Sequence, residues 1–205
     1  AIDMPAGPSE LMVIADAAAD MNIIAADLLS QAEHDPAAQV VLVTDSEQLA
    51  SAIGGELDRQ LVSLPRRDMA AESLQHGRVI LVPDMNTAVD IANDYAPEHL
   101  SLNVAGATSL IDEISTAGTV FVGPCAAETF SDYVAGPSHV LPTDGAAHSW
   151  SGVSVATFLR SMTVQQVSAQ GAQRLAPAAA RLARLEGLEA HARAADIRLQ
   201  QARPS

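Results

Sequence analysis

Short runs of consecutive apolar residues alternate along this chain with longer stretches in which apolar positions recur every three or four residues. Leu11-Met12-Val13-Ile14-Ala15 is the first run, and an amphipathic stretch from Asp20 to about His34 follows it. Gln39 to Thr44 forms the second strand, after which Asp45 or Ser46 caps a helix that runs to about Val62 and stops at Leu64-Pro65. Arg78 to Val82 gives a third strand closed by Pro83, with a helix from about Asp84 to Asp94. Leu100 to Val104 and Thr119 to Val122 are further strands, separated by a short helix around Ser109 to Ser115. Strands separated by crossover helices predict an α/β fold, a mostly parallel sheet with helices on both faces.

Beyond Gly123 the pattern changes. Gly123-Pro124, Gly136-Pro137, Pro142 and Gly145 mark a long loop-rich segment with one short helix from Glu128 to Tyr133. From Ser154 onward the chain reads as helical, and Ala178 to Leu199 is rich in Ala, Leu and Arg. Leu175, Leu182, Leu185 and Leu188 recur at helical spacing, so they are expected to pack against another element. Pro177 suits the first turn of that helix. A helical extension of this length after a sheet is suited to an oligomerisation arm.

Composition removes several classes of function. Eleven Arg and Lys residues stand against 25 Asp and Glu, a formal net charge of −14, and every basic side chain is arginine. Phosphate backbones call for clustered cations, so a nucleic-acid ligand is excluded. No apolar run approaches the roughly 18 residues that cross a bilayer. Cys125 is the single cysteine, which rules out an internal disulfide and fits a reducing cytoplasm. The chain begins Ala1-Ile2-Asp3, as if cut from something longer. Neither a Gly-x-Gly-x-x-Gly fingerprint nor a phosphate-loop motif follows any strand.

Candidate chemistry is scattered in pairs. Gln31 and His34 leave the same face of a helix end and can hold a metal, with Asp27 and Glu33 as equal candidates; a solvated helix end is the plain alternative. In Pro97-Glu98-His99, carboxylate and imidazole form either an acid–base pair or a turn with two solvated side chains. Asp132 and His139 bracket a Gly/Pro-rich loop that lets backbone approach a ligand, or they serve as a helix cap and a loop hydrogen-bonder. Glu186 and His191 are five apart, about 140° around an ideal helix, and converge only if Gly187 breaks the helix or the two surround a concave site. Ser9, after Gly7-Pro8, offers a hydroxyl to a small ligand, whereas His76 and His148 read as solvated turn residues and Cys125 as filler.

Taken together, these segments resemble the histidinol dehydrogenase family. The resemblance is carried by Ile2 to Glu10, Asp27 to His34, Ala96-Pro97-Glu98-His99-Leu100, Asp132-Tyr133 with Gly136 to Pro142, and Glu186 to Ala192. It spans essentially the whole chain and matches only the second half of a typical member. It implies an incomplete Rossmann-like sheet over residues 11–152, residues 1–10 as the end of, or hinge from, a preceding domain, and residues 153–205 as a helical dimer arm. It implies a cytoplasmic, NAD-linked, two-step oxidation of L-histidinol through the aldehyde to L-histidine.

One zinc ion per subunit would be held by Gln31, His34, Asp132 and His191, with His191 and Glu186 contributed across a homodimer interface. Substrate contacts would fall to Ser9, His99, His139 and Glu186 beside the metal ligands, with His99 as general base and Glu98 activating water. The family's nucleotide contacts lie mainly in the missing N-terminal half, so this chain alone is expected to be incomplete for turnover. A non-catalytic zinc-binding dimerisation module and a zinc hydrolase using Glu98 are the competing readings.

Overall fold

A computed structural model describes residues 7–201; the expected motif residues Ile2 to Ala6 lie outside them. The described chain forms two compact units, Ala1–Leu159 and Arg160–Ser205. The first holds five strands, β1 (Glu10–Ala15), β2 (Gln39–Thr44), β3 (Arg78–Leu81), β4 (His99–Asn103) and β5 (Thr119–Val122). All pair in parallel, in the order β3-β2-β1-β4-β5.

Helices begin where the capping residues place them. Asp20 accepts the Asn22 N–H to start α1 (Met21–Ala32), Ser46 accepts from Leu49 to start α2 (Glu47–Leu61), and Asp84 accepts from Thr87 to start α4 (Met85–Tyr95). The sequence reading missed α3 (Arg67–Leu74), because Arg66 occupies its cap position without a capping side-chain bond. The stretch expected as a helix around Ser109 is a 3-10 helix, Ala107–Glu113. The short helix α5 (Glu128–Tyr133) has the expected bounds.

Pleating sends successive strand residues to opposite faces, and the sheet is covered on both. Leu11, Val13 and Ala15 of β1 pack with Val40 and Leu42 against Ile24, Leu28, Leu29, Leu49, Ile53 and Ala70 of α1, α2 and α3. Met12 and Ile14 join Val41, Val43, Leu100 and Leu102 against Ala88 and Ala92 of α4. On the outer strand β3, Val79 and Leu81 remain about half exposed.

The C-terminal part of the chain corrects three expectations. Residues 159–168 are not helical, and only a short 3-10 segment, Val155–Phe158, precedes them. Pro177 does not begin a helix but lies inside α6 (Ala169–Leu185), whose start is capped by Ser168 accepting from Gly171. Continuous helix from Ala178 to Leu199 is broken at Gly187, with α7 resuming at Glu189–Gln201. Gly187 takes a positive φ of 76°, while Leu188 N–H donates to Ala183 and Gly187 N–H to Arg184, a glycine-terminated helix end that a Cβ would strain.

The four leucines also behave differently from expectation: all are exposed, Leu185 by 76%. Ala176, Ala180 and Ala192 are buried instead. These small side chains let α6 and α7 approach closely, and Arg184, bonded to both Asp196 and Glu189, clasps the pair.

Candidate active site and metal centre

The site grows out of β4. Its sequence His-Leu-Ser-Leu-Asn sends Leu100 and Leu102 to the α4 face and His99, Ser101 and Asn103 to the α1 face. All three polar residues are buried. They sit beside β1 in the register Leu11–His99, Val13–Ser101 and Ala15–Asn103. A polar strip therefore runs along a sheet face that is apolar one strand away.

The start of β1 clamps both members of the Glu98–His99 pair. Glu10 N–H donates to Glu98 Oε2 at 2.9 Å, and the Glu10 carbonyl lies 3.0 Å from His99 Nδ1. A carbonyl oxygen only accepts, so Nδ1 carries the proton and Nε2 presents a bare lone pair. That Nε2 is buried without a protein partner. The imidazole also stacks on Phe121 of β5, with centroids 5.9 Å apart and ring planes 18° from parallel.

Glu10 is itself tied down, because its Oε1 accepts from Asp144 N–H at 2.8 Å. Gly118 keeps the start of β5 against this clamp. A Cβ there would come 2.5 Å from the Glu98 carbonyl oxygen. Of the two readings of Pro97-Glu98-His99, the turn with two solvated side chains is overturned: Glu98 and His99 are only 5% and 4% accessible.

Burial sets the protonation states. It pushes the Glu98 carboxyl up to about 7, with the Glu10 N–H and the Ser9 hydroxyl pulling it down and the Glu10 and Asp132 carboxylates adding to the rise. His99 is lowered from its ordinary value, chiefly by burial, so it is neutral near pH 7.

A second cluster is built by α1 and α5. Parallel connectivity returns the end of α1 towards the amino ends of the strands, the end at which Glu10 and His99 lie. Gln31, in the last turn of α1, is fully buried, and neither amide atom has a protein partner. His34 follows just beyond the helix end and is exposed. From α5 come Glu128, buried with Oε2 unpartnered, and Asp132 one turn later.

One ligand atom each from His34, Glu128 and Asp132 lie within 4.8 Å of one another. Burial pushes the Glu128 carboxyl up to about 8, and Asp132, Glu98 and Asp27 push it in the same direction. Asp27 is raised to about 6 by burial. His99 in turn feels Asp132 and His34. Electrostatics thus join the acid–base pair and the donor cluster in one region.

A divalent cation fits this region. Imidazole nitrogen and carboxylate oxygens form a mixed N/O donor set, and the carboxylates crowd one another without a cation between them. Asp132 thus acts on Glu98 and His99, His34 on His99, and Asp27 on Glu128, so separate sequence motifs share one region. Ser9 is half-buried beside Glu98, while His139 lies exposed in its loop. Glu186 and His191 are exposed in the second unit, on either side of the break at Gly187. His76 and His148 are exposed as expected, as is Cys125. The sequence reading missed Glu128 and Glu10. The four-residue spacing of Glu128 and Asp132 on the predicted short helix was the available signal for the first; nothing local marks the second.

The family model described as histidinol dehydrogenase matches residues 1–199. Histidinol dehydrogenase of Legionella pneumophila (strain Lens) is 48% identical over 199 residues, covering 97% of this chain and 46% of the relative. That of Xylella fastidiosa (strain Temecula1) is 49% identical over 202 residues, covering 98% and 47% respectively. The crystal structure of histidinol dehydrogenase from Elizabethkingia anophelis superposes with a TM-score of 0.92 at 41% identity, covering 98% of this chain and 46% of that one. The chain spans about half the length of the relatives it matches.

Proposed function

The chain belongs to the histidinol dehydrogenase family, and we propose that it forms the metal- and substrate-binding part of an NAD-linked enzyme that oxidises L-histidinol through the aldehyde to L-histidine. The observation that carries this reading is the Glu10 clamp, which fixes a neutral His99 with a buried, unprotonated Nε2 next to Glu98. A general base for an alcohol needs that lone pair aimed into a dry site, and a neutral imidazole at working pH.

In the first step His99 Nε2 would take the hydroxyl proton, and NAD, when bound, would supply the acceptor for the hydride lost from the carbinol carbon. The Phe121 stack and the Nδ1 bond hold the ring still as it becomes cationic. In the second step ionised Glu98 takes a proton from water, whose oxygen attacks the aldehyde carbon. The resulting hydrate anion would lose its second hydride to a second NAD and a further proton to solvent, leaving the carboxylate. With its carboxyl near 7, Glu98 is part-ionised at neutral pH and remains basic enough to accept that proton.

Gln31, His34 and Asp132 would hold a zinc ion, with His191 supplied by a second copy of the chain. Zinc supplies a fixed anchor for the substrate's amine and imidazole. Ser9, His139 and the second copy's Glu186 would complete the substrate contacts. Residues 153–205, whose α6 carries exposed Leu175, Leu182 and Leu185, would serve as the homodimer arm. No residue of this chain is assigned to NAD. None of the described helices is long and apolar enough to cross a membrane.

The test is calorimetric and spectroscopic. The zinc-loaded protein should bind L-histidinol, and the intact protein should form NADH from it in a zinc-dependent way. Zinc binding with no heat from histidinol would leave only a metal-binding module and overturn the assignment. Robust turnover by the 205-residue chain alone would overturn its incompleteness.

A further inference from the structure

We propose that Thr143 is a positioning residue for the proton-transfer pair, the anchor of a brace over residues 141–144 that fixes the segment gripping Glu98 and His99. The inference rests on the proton-transfer reading of those two residues above and deepens it.

The gripped segment is Gly7-Pro8-Ser9-Glu10. Glu10 gives its N–H to Glu98 and its carbonyl to His99, and the Ser9 hydroxyl also acts on Glu98. Pairing with β4 does not hold this stretch, because it starts one residue later, at Leu11–His99. Pairing with β2 reaches Glu10, and one further bond, from Gln39 N–H, reaches the Ser9 carbonyl. The remaining ties come from far along the chain. Gly7 N–H donates to Thr143 Oγ1 at 2.6 Å, and Asp144 N–H donates to Glu10 Oε1 at 2.8 Å. Two adjacent residues therefore tie both ends of a four-residue segment, across 136 and 134 positions of sequence.

The brace is stiff for reasons visible in its packing. Leu141, Pro142 and Thr143 are buried, whereas residues 133–137 before them and Asp144 after them are exposed. Leu141 and Pro142 press on Gly118, where a Cβ would come 3.2 Å from each of them and 2.5 Å from the Glu98 carbonyl oxygen. Asp144 keeps a φ of 55°, a left-handed conformation that a non-glycine residue holds only where its surroundings fix it. Its N–H is fixed by the Glu10 carboxylate. Gly7 is exposed, so its N–H can turn to water once the Thr143 hydroxyl is gone. Removing that hydroxyl thus frees the segment without stranding a buried donor.

Thr143→Val keeps the shape of the side chain and removes the acceptor. In the intact, zinc-loaded enzyme, kcat for NADH formation from L-histidinol should fall about 10- to 100-fold, the range of a small misplacement of reacting groups. The acid limb of aldehyde oxidation should move to higher pH by about half a unit to one unit, because Glu98 loses donors that hold its carboxyl down. Thr143→Ser, which keeps the hydroxyl, should restore both rate and limb. If Thr143→Val does not fold, Thr143→Ala against Thr143→Ser makes the same comparison, since those two differ only by the hydroxyl.

Nitrogen-15 shifts of His99, in protein labelled at histidine, follow the brace without turnover. The parent should show a protonated Nδ1, and Thr143→Val a mixture of tautomers. Parent-like rate, pH profile and tautomer in Thr143→Val would overturn the proposal, whatever happens to the melting temperature. A lower rate that serine does not restore would reduce Thr143 to packing and overturn it too. An inactive parent enzyme would overturn the dehydrogenase reading alone, with the nitrogen shifts still deciding the brace.

Discussion

β1 and β4 lie side by side in the same sheet, paired residue for residue, and they do opposite things on the face they share. Leu11, Val13 and Ala15 are buried among the aliphatic side chains of α1. Their partners His99, Ser101 and Asn103 are equally buried but polar. Burial is therefore not what separates core from site here. The difference lies in what covers each strand. α1 lays Ile24 and Leu28 over β1, whereas the region near β4 receives the polar end of α1 and the carboxylates of α5. A strand whose inward face is polar marks a place where the fold leaves room for chemistry instead of filling it.

The comparison breaks most sharply at the Leu11–His99 pair. His99→Leu would make the two strands alike. It should lower NADH formation from histidinol by about 1000-fold through loss of the base, while the melting temperature holds or rises because a buried, unpartnered ring nitrogen is removed. Retained turnover in a steady-state assay would remove His99 from the proton-transfer role.

On the other side of the pair, Leu11→Ala should cost about 3 kcal/mol of stability by opening a cavity in the α1 core. Urea denaturation measures it, and kcat of the folded fraction should hardly change. A large loss of kcat without a loss of stability would mean that β1 contributes more than packing and its backbone clamp.

The pH dependence has a sign fixed by burial. Glu98 is raised in the folded state, so the folded protein keeps a proton that the unfolded chain has already released. That contribution is fully present below about 4.5 and is lost as pH rises through about 7. The metal-free chain should therefore melt at progressively lower temperature from about pH 5 to pH 8, and Glu98→Gln should flatten that slope. In the intact enzyme the aldehyde-oxidising step should show the opposite trend, rising through about pH 7 as Glu98 ionises.

Ser101→Ala should have the smallest effect. It removes the acceptor for Asn103 Nδ2, 2.9 Å away, and should cost about 1 kcal/mol by thermal denaturation. No measurable cost would show that this part of the polar strip is held by its neighbours instead.

Much of the sheet was legible because its signals are local. β2 and β5 were read with their final bounds, as was α5, since each is an apolar or polar run punctuated by Pro, Gly or a capping residue. α3 was not, for want of a capping side chain. The tail was misread because alanine and leucine both favour helix, and periodicity alone does not say which of them faces a partner. In the structure the alanines pack and the leucines stay exposed. For the site, the pairs Gln31/His34 and Glu98/His99 were visible as motifs, but their alternatives as solvated polar residues were equally consistent with spacing.

The sequence by itself carried the family resemblance and the order of the five strands along the chain, because these depend on residue identity and short-range pattern. Only the tertiary structure decided that Glu98 and His99 are buried, which imidazole nitrogen is free, and that Glu128 joins His34 and Asp132. Protonation, tautomer and ligand geometry depend on desolvation and on partners far away in the chain: Glu10 reaches His99 across 89 residues of sequence. No local pattern encodes such a contact. It exists because β1 and β4 pair, and pairing is a property of the whole sheet.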